Sequence, residues 1–236
     1  MNESPHSAIR EAIRPDKLLS VYSALARHYD LQHGLSTLGA DQRGRRLVVE
    51  HAVRSGDNVL DAGGGTGSTA LLAARKAGPA GHVTVLDFCA DMLDVARERA
   101  DRAGLTQTMS FRTGDMLDLP FPDASFDTVL STYSVCPLFD PVAGALELYR
   151  VLKPGGRLGV AHSASPQNPV MHWLAERFED LVWLMPRLSM GCRAVSVLPD
   201  LQKAGAQVIY RRRLGIPLYP FLVFVAEKPA SASKTG

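Results

Sequence analysis

The first regularity in the chain is an alternation of short apolar runs with longer amphipathic stretches. Apolar runs of strand length begin at residues 58, 82, 109, 126 and 156, and helical patterns follow the first, second and fourth of these runs. A helix between two such strands makes a crossover connection, and right-handed crossovers of this kind give a parallel sheet with helices on both faces. The pattern therefore predicts an α/β fold.

The two ends of the chain depart from this alternation. Residues 1–50 are predicted to form a helical lid, residues 51–228 the main domain and residues 229–236 a disordered polar tail. A Trp- and Met-rich helical stretch, NPVMHWLAERFEDLVWLMP, contains Trp173 and Trp183. The last two β-rich runs, QVIYRRRL and YPFLVFVAEK, are joined by a link so short that it predicts an antiparallel pair at the sheet edge.

Composition narrows the class of protein. A chain of 236 residues with 46% apolar and 21% charged residues fits one globular domain, and a net charge of +2 gives no basis for nucleic-acid binding. The three cysteines, Cys89, Cys136 and Cys192, lack metal-type spacing, so no metal is expected. The N-terminus lacks the apolar core of a signal peptide and no run of 18 apolar residues occurs, so we expect a cytoplasmic protein.

One glycine-rich stretch, VLDAGGGTGS, follows the first strand, where open α/β sheets bind ligands. The dinucleotide fingerprint needs a third glycine where Ser68 stands, which disfavours a nicotinamide-dependent oxidoreductase. The phosphate loop needs a lysine that this turn lacks. What remains is the pattern D-x-G-x-G-x-G, formed by Asp61, Gly63, Gly65 and Gly67. Taken alone, this pattern also fits a tight strand-to-helix connection that binds nothing.

Acidic residues at the ends of the next two strands favour a ligand. Asp87 ends the second strand, where its carboxylate can accept both hydroxyls of a ribose, and Asp115 ends the third, where it can accept the exocyclic amine of an adenine. Phe88 and Met116 are apolar neighbours able to sandwich the base. The glycine turn and the two carboxylates together predict an adenosine pocket without a phosphate clamp.

Five ordered motifs, VLDAGGGTG, LDFCADML, TGDM, LPFPDASFDTVLS and ELYRVLKPGGRL, resemble those of class I S-adenosylmethionine-dependent methyltransferases. The pattern is most similar to the ubiquinone/menaquinone biosynthesis methyltransferase-like family. This resemblance implies S-adenosyl-L-methionine as cofactor. It also implies a Rossmann-like sheet of seven strands in the order 3-2-1-4-5-7-6, with strand 7 antiparallel and helices on both faces.

The resemblance also implies roles for particular residues. The methionine part of the cofactor would lie on Asp61 and the turn of Gly63, Gly65 and Gly67, and Ser131 with Thr132 would lie beside the methyl group. The segment HYDLQHG resembles one whose tyrosine, here Tyr29, folds over the cofactor. The remaining cofactor contacts would come from Asp87, Phe88, Met92, Asp115 and Met116.

The acceptor of the methyl group is less well defined than its donor. The apolar stretch around the two tryptophans favours a small, lipophilic acceptor, quinone-like or lipid, and leaves room for a peripheral membrane contact or a homodimer. His162, just past strand 5, is the candidate general base, and Tyr133, at the end of strand 4, is the candidate for orienting the acceptor.

One departure from the quinone C-methyltransferases keeps other acceptors open. Those enzymes carry an Arg-Asn pair after strand 4, where this chain has Cys136 and Pro137, which cannot supply the same hydrogen-bond donors. The segments STYSVCPLFDP and VAHSA resemble methyltransferases of phospholipid head-group amines, and MGCRAVSVLPDLQKAGAQV resembles alkyl-thiol methyltransferases. N-methylation of a lipid amine and S-methylation of a thiol are therefore alternatives. An alternative of another class is a non-catalytic cofactor-binding module.

Overall fold

Seven β-strands form the framework of the protein. The computed structural model describes residues 14–183 and 191–230. Most of the predicted polar tail and the end of the Trp- and Met-rich stretch therefore lie outside the described residues. The strands are β1 (Asn58–Ala62), β2 (His82–Asp87), β3 (Met109–Thr113), β4 (Phe126–Thr132), β5 (Leu152–Ser163), β6 (Gln207–Ile216) and β7 (Tyr219–Glu227).

Eight α-helices accompany these strands within the described residues. Several end as their sequences predict: Gly78 caps the fourth helix at a positive φ of 72°, and Gly104, at 67°, follows the end of the fifth. The helices are α1 (Pro15–Leu25), α2 (Tyr29–Ser36), α3 (Ala40–Ala52), α4 (Ser68–Ala77), α5 (Ala90–Arg102), α6 (Pro141–Arg150), α7 (Pro169–Trp183) and α8 (Leu198–Lys203).

The strands form one sheet in the order β3-β2-β1-β4-β5-β7-β6. Strands β1 to β5 are paired in parallel, and β7 runs antiparallel to both β5 and β6. The predicted Rossmann-like order and the predicted terminal hairpin are both confirmed. The order reverses between β1 and β4, so the ends of these two strands border the crevice in which such sheets bind ligands.

Both faces of the sheet are buried. On one face, side chains such as Leu60, Leu158 and Phe224 pack with α6 and α8, and on the other Val59, Val85 and Val223 pack with α3, α4 and α5. Alternate residues of a strand face opposite sides, so burial on both faces explains why β1, β2, β4 and β7 are mainly apolar, whereas the edge strand β6 is largely exposed and carries three arginines.

Two element boundaries differ from those expected. Helix α6 ends at Arg150, and the Lys-Pro-Gly-Gly turn that was expected to precede strand 5 is part of β5. The register of β5 with β4 shifts across this turn, between the Phe126–Leu152 pair and the Thr128–Arg157 pair. Residue 50 falls inside α3, whose Val48, Val49 and Ala52 belong to the core under the sheet. Helix α3 therefore packs with the sheet, although most of it lies within residues 1–50, the predicted lid.

Candidate active site

A pocket opens at the carboxyl ends of β1, β2 and β4 and is covered by α1 and α2. It encloses about 1090 Å³ of empty space when its open mouth is included. Of the predicted site residues, those that line it are Tyr29, Gly63, Gly65, Asp87, Phe88, Met92, Asp115, Met116 and Tyr133. The other four, Asp61, Gly67, Ser131 and His162, are not part of this lining.

The glycine turn forms the floor of the pocket. Gly63 and Gly65 have φ angles of 66° and 53°, in the left-handed region that favours glycine. A Cβ on Gly65 would have Asp87 Oδ2, at 4.0 Å, as its nearest neighbour, so it would project into the empty space that a ligand needs. Gly67 instead caps α4, with a φ of 79°, and a Cβ there would lie 3.1 Å from Ala96 Cβ.

Asp61 lies at the carboxyl end of β1, completely buried beneath this turn. Neither of its carboxylate oxygens has a hydrogen-bond partner among the described residues. Burial raises the pKa of Asp61 to about 7, with Asp87 adding to the rise and the Arg45 guanidinium opposing it. A buried carboxylate without donors is unfavourable unless a cation or donor is supplied. The ammonium group of a methionine moiety would supply both, so the residues present fit S-adenosylmethionine.

Asp87 is held ready for a hydroxyl-bearing ligand. Its Oδ2 accepts the Gly65 N–H at 2.8 Å and its Oδ1 accepts the Cys89 N–H at 2.9 Å, which fixes the plane of the carboxylate. Burial raises the pKa of Asp87, against the opposing effect of these backbone donors. Each oxygen keeps a further acceptor site toward the pocket, so the pair can receive two ribose hydroxyls, as the sequence predicts.

The residues predicted for adenine lie together at one end of the pocket. Met116 is buried, Asp115 is exposed with its Oδ1 accepting the Leu117 N–H at 2.9 Å, and Phe88 stands at the rim. Met92 is buried in a small cluster under α1. The free Oδ2 of Asp115 and the two apolar surfaces are compatible with an adenine between them.

Helices α1 and α2 cover the pocket with aromatic rings. The Tyr22 ring lies 5.9 Å from that of Tyr29 and 5.8 Å, edge to face, from that of Phe88. Tyr29 was predicted, whereas Tyr22 and Leu18 were missed. The available signal was the apolar stripe of Leu18, Val21 and Tyr22, whose helical spacing predicts a buried face but not the partner on which it packs.

A carboxylate fastens α2 to the glycine turn. Asp30 accepts the hydroxyls of Thr66 at 2.9 Å and of Ser68 at 3.1 Å, and it forms an ion pair with Arg99 of α5. Thr66 itself lines the pocket. The cover and the floor of the pocket are therefore joined directly, through side chains that are only partly exposed.

The end of β4 supplies the wall opposite the turn. Thr132, Tyr133 and Ser134 line the pocket, whereas the predicted Ser131 is fully buried behind them, with its hydroxyl 2.7 Å from that of Ser134. Burial raises the pKa of Tyr133 far above neutral pH, so its phenol stays protonated and cannot serve as a base. The Arg45 guanidinium lies 5.3 Å from the Tyr133 ring centroid and bonds Thr132 Oγ1 at 2.8 Å. Arg45 is a further site residue that sequence reasoning missed.

His162, the candidate base, does not reach the pocket. Its ring is buried against Phe224 with the centroids 6.1 Å apart, and its Nδ1 lies 2.7 Å from the Ser163 carbonyl oxygen. Burial lowers its pKa, which keeps the ring neutral. On β5, Ala161 faces the α3 side of the sheet and Val160 the α6 side, so strand alternation turns His162 toward the α6 side and into the core. The structure gives no support to the predicted base.

A pocket lined by the glycine turn, Asp87 and Asp115, at the switch point of a 3-2-1-4-5-7-6 sheet, is the arrangement of a class I S-adenosylmethionine-dependent methyltransferase. Residues 10–191 match the model of the ubiE/COQ5 methyltransferase family, and the chain belongs to that family. The protein is therefore an enzyme that uses S-adenosyl-L-methionine, rather than a non-catalytic cofactor-binding module.

Individual relatives agree with this assignment. The ubiquinone/menaquinone biosynthesis C-methyltransferase of Stenotrophomonas maltophilia is 38% identical over 170 residues, which cover 68% of this chain and 67% of that protein. The demethylmenaquinone methyltransferase of Lactobacillus johnsonii is 34% identical over 152 residues, which cover 64% of this chain and 62% of that protein. The fold is shared with the geranyl diphosphate C-methyltransferase of Streptomyces coelicolor, at a TM-score of 0.63 and 17% identity over 78% of this chain and 74% of that one.

Within residues 14–183 and 191–230, none of the helices has the length and apolar character that crossing a bilayer requires.

Proposed function

We propose that this enzyme methylates a small, lipophilic, quinone-like acceptor, with α1 and α2 acting as a lid. The observation that carries the proposal is the apolar outer part of the pocket, beyond the cofactor residues. Its wall comprises Leu18, Leu117, Pro137, Leu138 and Phe139. Phe139 is 74% exposed at the mouth, where a flexible apolar tail of an acceptor would leave the pocket. The named activities of the quinone-methylating relatives agree with such an acceptor.

The chain's contribution to the reaction is to position two molecules and exclude water. S-adenosylmethionine supplies an activated methyl group, so in-line alignment of donor and acceptor accounts for most of the catalysis. Asp61, Asp87 and the glycine turn would orient the cofactor, and Tyr22 and Tyr29 would close the pocket over it. Tyr133 keeps its phenolic proton, and its hydroxyl already donates to the Ala40 carbonyl at 3.4 Å.

The described lining of the pocket contains no histidine, and its carboxylates are those assigned to the cofactor. An acceptor that ionises with little help, such as a hydroquinone, fits such a site better than an alcohol or an unactivated carbon. The Arg-Asn pair of the quinone C-methyltransferases has no counterpart, because Cys136 is buried outside the lining and Pro137 offers no donor. Experiment is therefore needed to show which atom of the acceptor is methylated.

The test is methyl transfer from labelled S-adenosylmethionine to three purified acceptors in parallel. These are a hydroquinone with a short isoprenoid tail, a phospholipid with a primary-amine head group and a long-chain alkyl thiol. We expect the hydroquinone to give the highest kcat/KM, with product mass spectra identifying carbon or oxygen as the methylated atom. Asp87→Ala should lose activity on every acceptor. A higher kcat/KM for the amine or the thiol would refute the quinone-like acceptor, and no transfer to any of the three would refute the lipophilic pocket.

We also propose that α7 makes a peripheral contact with a membrane. Its Val170, Trp173, Phe178 and Leu181 are between 48% and 62% exposed and recur at helical spacing. Flotation with anionic phospholipid vesicles should recover the wild type and lose a Trp173→Ala/Phe178→Ala double variant. A concentration-dependent homodimer in sedimentation, without flotation, would assign the same face to a second copy of the chain instead.

A further inference from the structure

One glycine of α3 lies directly behind a residue that lines the pocket. Gly44 is inside this helix, which runs from Ala40 to Ala52, and it is buried. Glycine is among the least favourable residues in a helix interior, because it loses more backbone freedom on folding than any other residue. The presence of Gly44 at this position therefore calls for a reason in the packing around it.

The hydroxyl of Tyr133 occupies the space that a side chain at position 44 would fill. A Cβ on Gly44 would collide with Tyr133 Oη and lie 3.2 Å from Tyr133 Cζ, whereas its distance of 3.5 Å from Val223 Cγ2 is an ordinary contact. The same hydroxyl donates to the carbonyl oxygen of Ala40, the first residue of α3, at 3.4 Å. The gap left by the missing side chain, here called the Gly44 socket, therefore holds the end of Tyr133.

The backbone of Tyr133 is also unusual. Its φ of 61° lies in the left-handed region, which is unfavourable for a residue with a bulky side chain. Its N–H donates to the Ala161 carbonyl oxygen of β5 at 2.7 Å, which fixes the main chain just after β4. A conformation of this kind persists only where the surrounding structure determines it, and such positions cluster at functional sites. Tyr133 is therefore held at both its backbone and the end of its side chain.

Buried side chains from three elements surround the ring of Tyr133. The ring centroids of His33, on α2, and Phe221, on β7, lie 5.2 Å and 5.3 Å from the Tyr133 ring centroid. The guanidinium carbon of Arg45, on α3, lies 5.3 Å from the same centroid. All three neighbours are at most 4% exposed. The free space next to the ring is therefore the pocket, which Tyr133 lines.

We propose that Gly44 is a specificity-determining residue, which sets the width of the pocket for the acceptor. The Gly44 socket allows the ring of Tyr133 to lie back against α3. A side chain at position 44 would push this ring into the pocket, beside Thr132 and Ser134 of the same wall. A narrower pocket excludes a wide, rigid acceptor more strongly than a narrow one. This inference rests on the proposed function, because it takes the acceptor to lie beside Tyr133.

The test compares two acceptors of different width, a one-ring and a two-ring hydroquinone with the same short isoprenoid tail. The measured quantity is the width ratio, defined as kcat/KM for the two-ring acceptor divided by kcat/KM for the one-ring acceptor. Gly44→Ala should lower the width ratio at least about 10-fold, the scale on which pockets discriminate by size. Its affinity for S-adenosylhomocysteine, measured by calorimetry, should equal that of the wild type.

Two further variants show whether the effect passes through the tyrosine hydroxyl. Tyr133→Phe removes the oxygen with which the new Cβ would collide, so Gly44→Ala added to Tyr133→Phe should change the width ratio by less than about twofold. Gly34→Ala is the matched control, because Gly34 also lies within a helix, α2, and a Cβ there would have no neighbour within 4 Å. It should have the width ratio of the wild type.

Three results would overturn the proposal. They are an unchanged width ratio in Gly44→Ala, an equal fall in this ratio with and without the Tyr133 hydroxyl, and a parallel fall in affinity for S-adenosylhomocysteine, which would mean that α3 as a whole has moved. If Gly44→Ala does not fold, Tyr133→Leu tests the same wall in the opposite direction. It should raise the width ratio several-fold, and an unchanged ratio would again overturn the proposal.

Failure of the proposed function gives a different result. A wild type that methylates neither hydroquinone refutes the quinone-like acceptor and leaves the role of Gly44 to be measured on another one. The width ratio is then determined with a narrow and a branched member of the acceptor class that the wild type does methylate. The expected changes in Gly44→Ala, in its combination with Tyr133→Phe and in Gly34→Ala are the same.

Discussion

Asp61 allows the most specific test of the site, because the burial of its carboxylate affects both the stability of the apoprotein and its affinity for the cofactor. Asp61→Asn keeps the size of the side chain and removes its charge. The wild-type carboxyl has a pKa of about 7 in the folded protein, against an ordinary value of 3.8. We expect the asparagine variant to be more stable than the wild type without cofactor and to bind the cofactor more weakly.

The magnitude follows from the pKa difference. Because the folded pKa is raised, the folded state holds its proton where the unfolded state has lost it, so wild-type stability falls as pH rises from about 4 to about 7 and is level above that. One pKa unit corresponds to about 1.4 kcal/mol. The advantage of Asp61→Asn should therefore grow by about 3 kcal/mol between pH 5 and pH 8, or about 6–12 °C in Tm for a domain of this size.

The assay is thermal unfolding of the apoprotein at pH 5 and pH 8, with Asp94→Asn as the matched control. Asp94 lies on the exposed face of α5 in an ion pair with Arg97, so its neutralisation should change Tm little at either pH. Titration calorimetry at pH 7 should show that Asp61→Asn weakens S-adenosylmethionine binding by about 10- to 100-fold, the worth of a hydrogen bond between charged groups.

Two results would refute this reasoning. If Asp61→Asn has the same Tm advantage at pH 5 and at pH 8, the carboxyl does not titrate near neutral pH. If its cofactor affinity equals that of the wild type, the ammonium group of the cofactor lies elsewhere.

Three further predictions concern other parts of the pocket. Gly65→Ala should weaken cofactor binding at least about 10-fold in calorimetry, because its Cβ enters the pocket. Gly155→Ala, which also has a positive φ (77°) but lies in open space, should leave cofactor binding unchanged. Asp87→Asn should lower cofactor affinity by about 10-fold or more, because charge-assisted hydrogen bonds to the ribose are lost. An unchanged affinity would show that the ribose does not bind Asp87. Phe139→Ala should raise the acceptor KM several-fold in steady-state kinetics without altering cofactor affinity. A change in cofactor affinity with an unchanged acceptor KM would show that Phe139 does not contact the acceptor.

The sequence was sufficient for the sheet and for the parts of the site that follow strands directly. Gly63, Asp87 and Asp115 lie at the ends of buried strands or just after them, and the ends of parallel strands meet at one edge, so chain order alone predicts that these residues converge. Their roles then follow from local chemistry. The strand order itself came from the resemblance to known motifs, because periodicity predicts strands without saying which are neighbours.

What the sequence could not predict depends on contacts between distant segments or on a shift of one residue along a strand. Tyr22 contacts Phe88, which is 66 positions away in the sequence, and no local sequence signal predicts this contact. Ser131 was predicted to contact the cofactor, but it is fully buried, and the three residues that follow it, Thr132, Tyr133 and Ser134, line the pocket instead. His162, the predicted base, lies outside the pocket lining because strand alternation turns its ring into the core.

The attachment of α2 by Asp30 has a consequence for the pace of turnover. The spent cofactor, S-adenosylhomocysteine, must leave past the glycine turn that held S-adenosylmethionine. Asp30 fastens the covering helix to Thr66 of that turn. Entry and exit then share one step, the breaking of a small cluster of polar bonds. We expect product release rather than methyl transfer to limit turnover, and the rate should then respond to ionic strength through the Asp30–Arg99 pair.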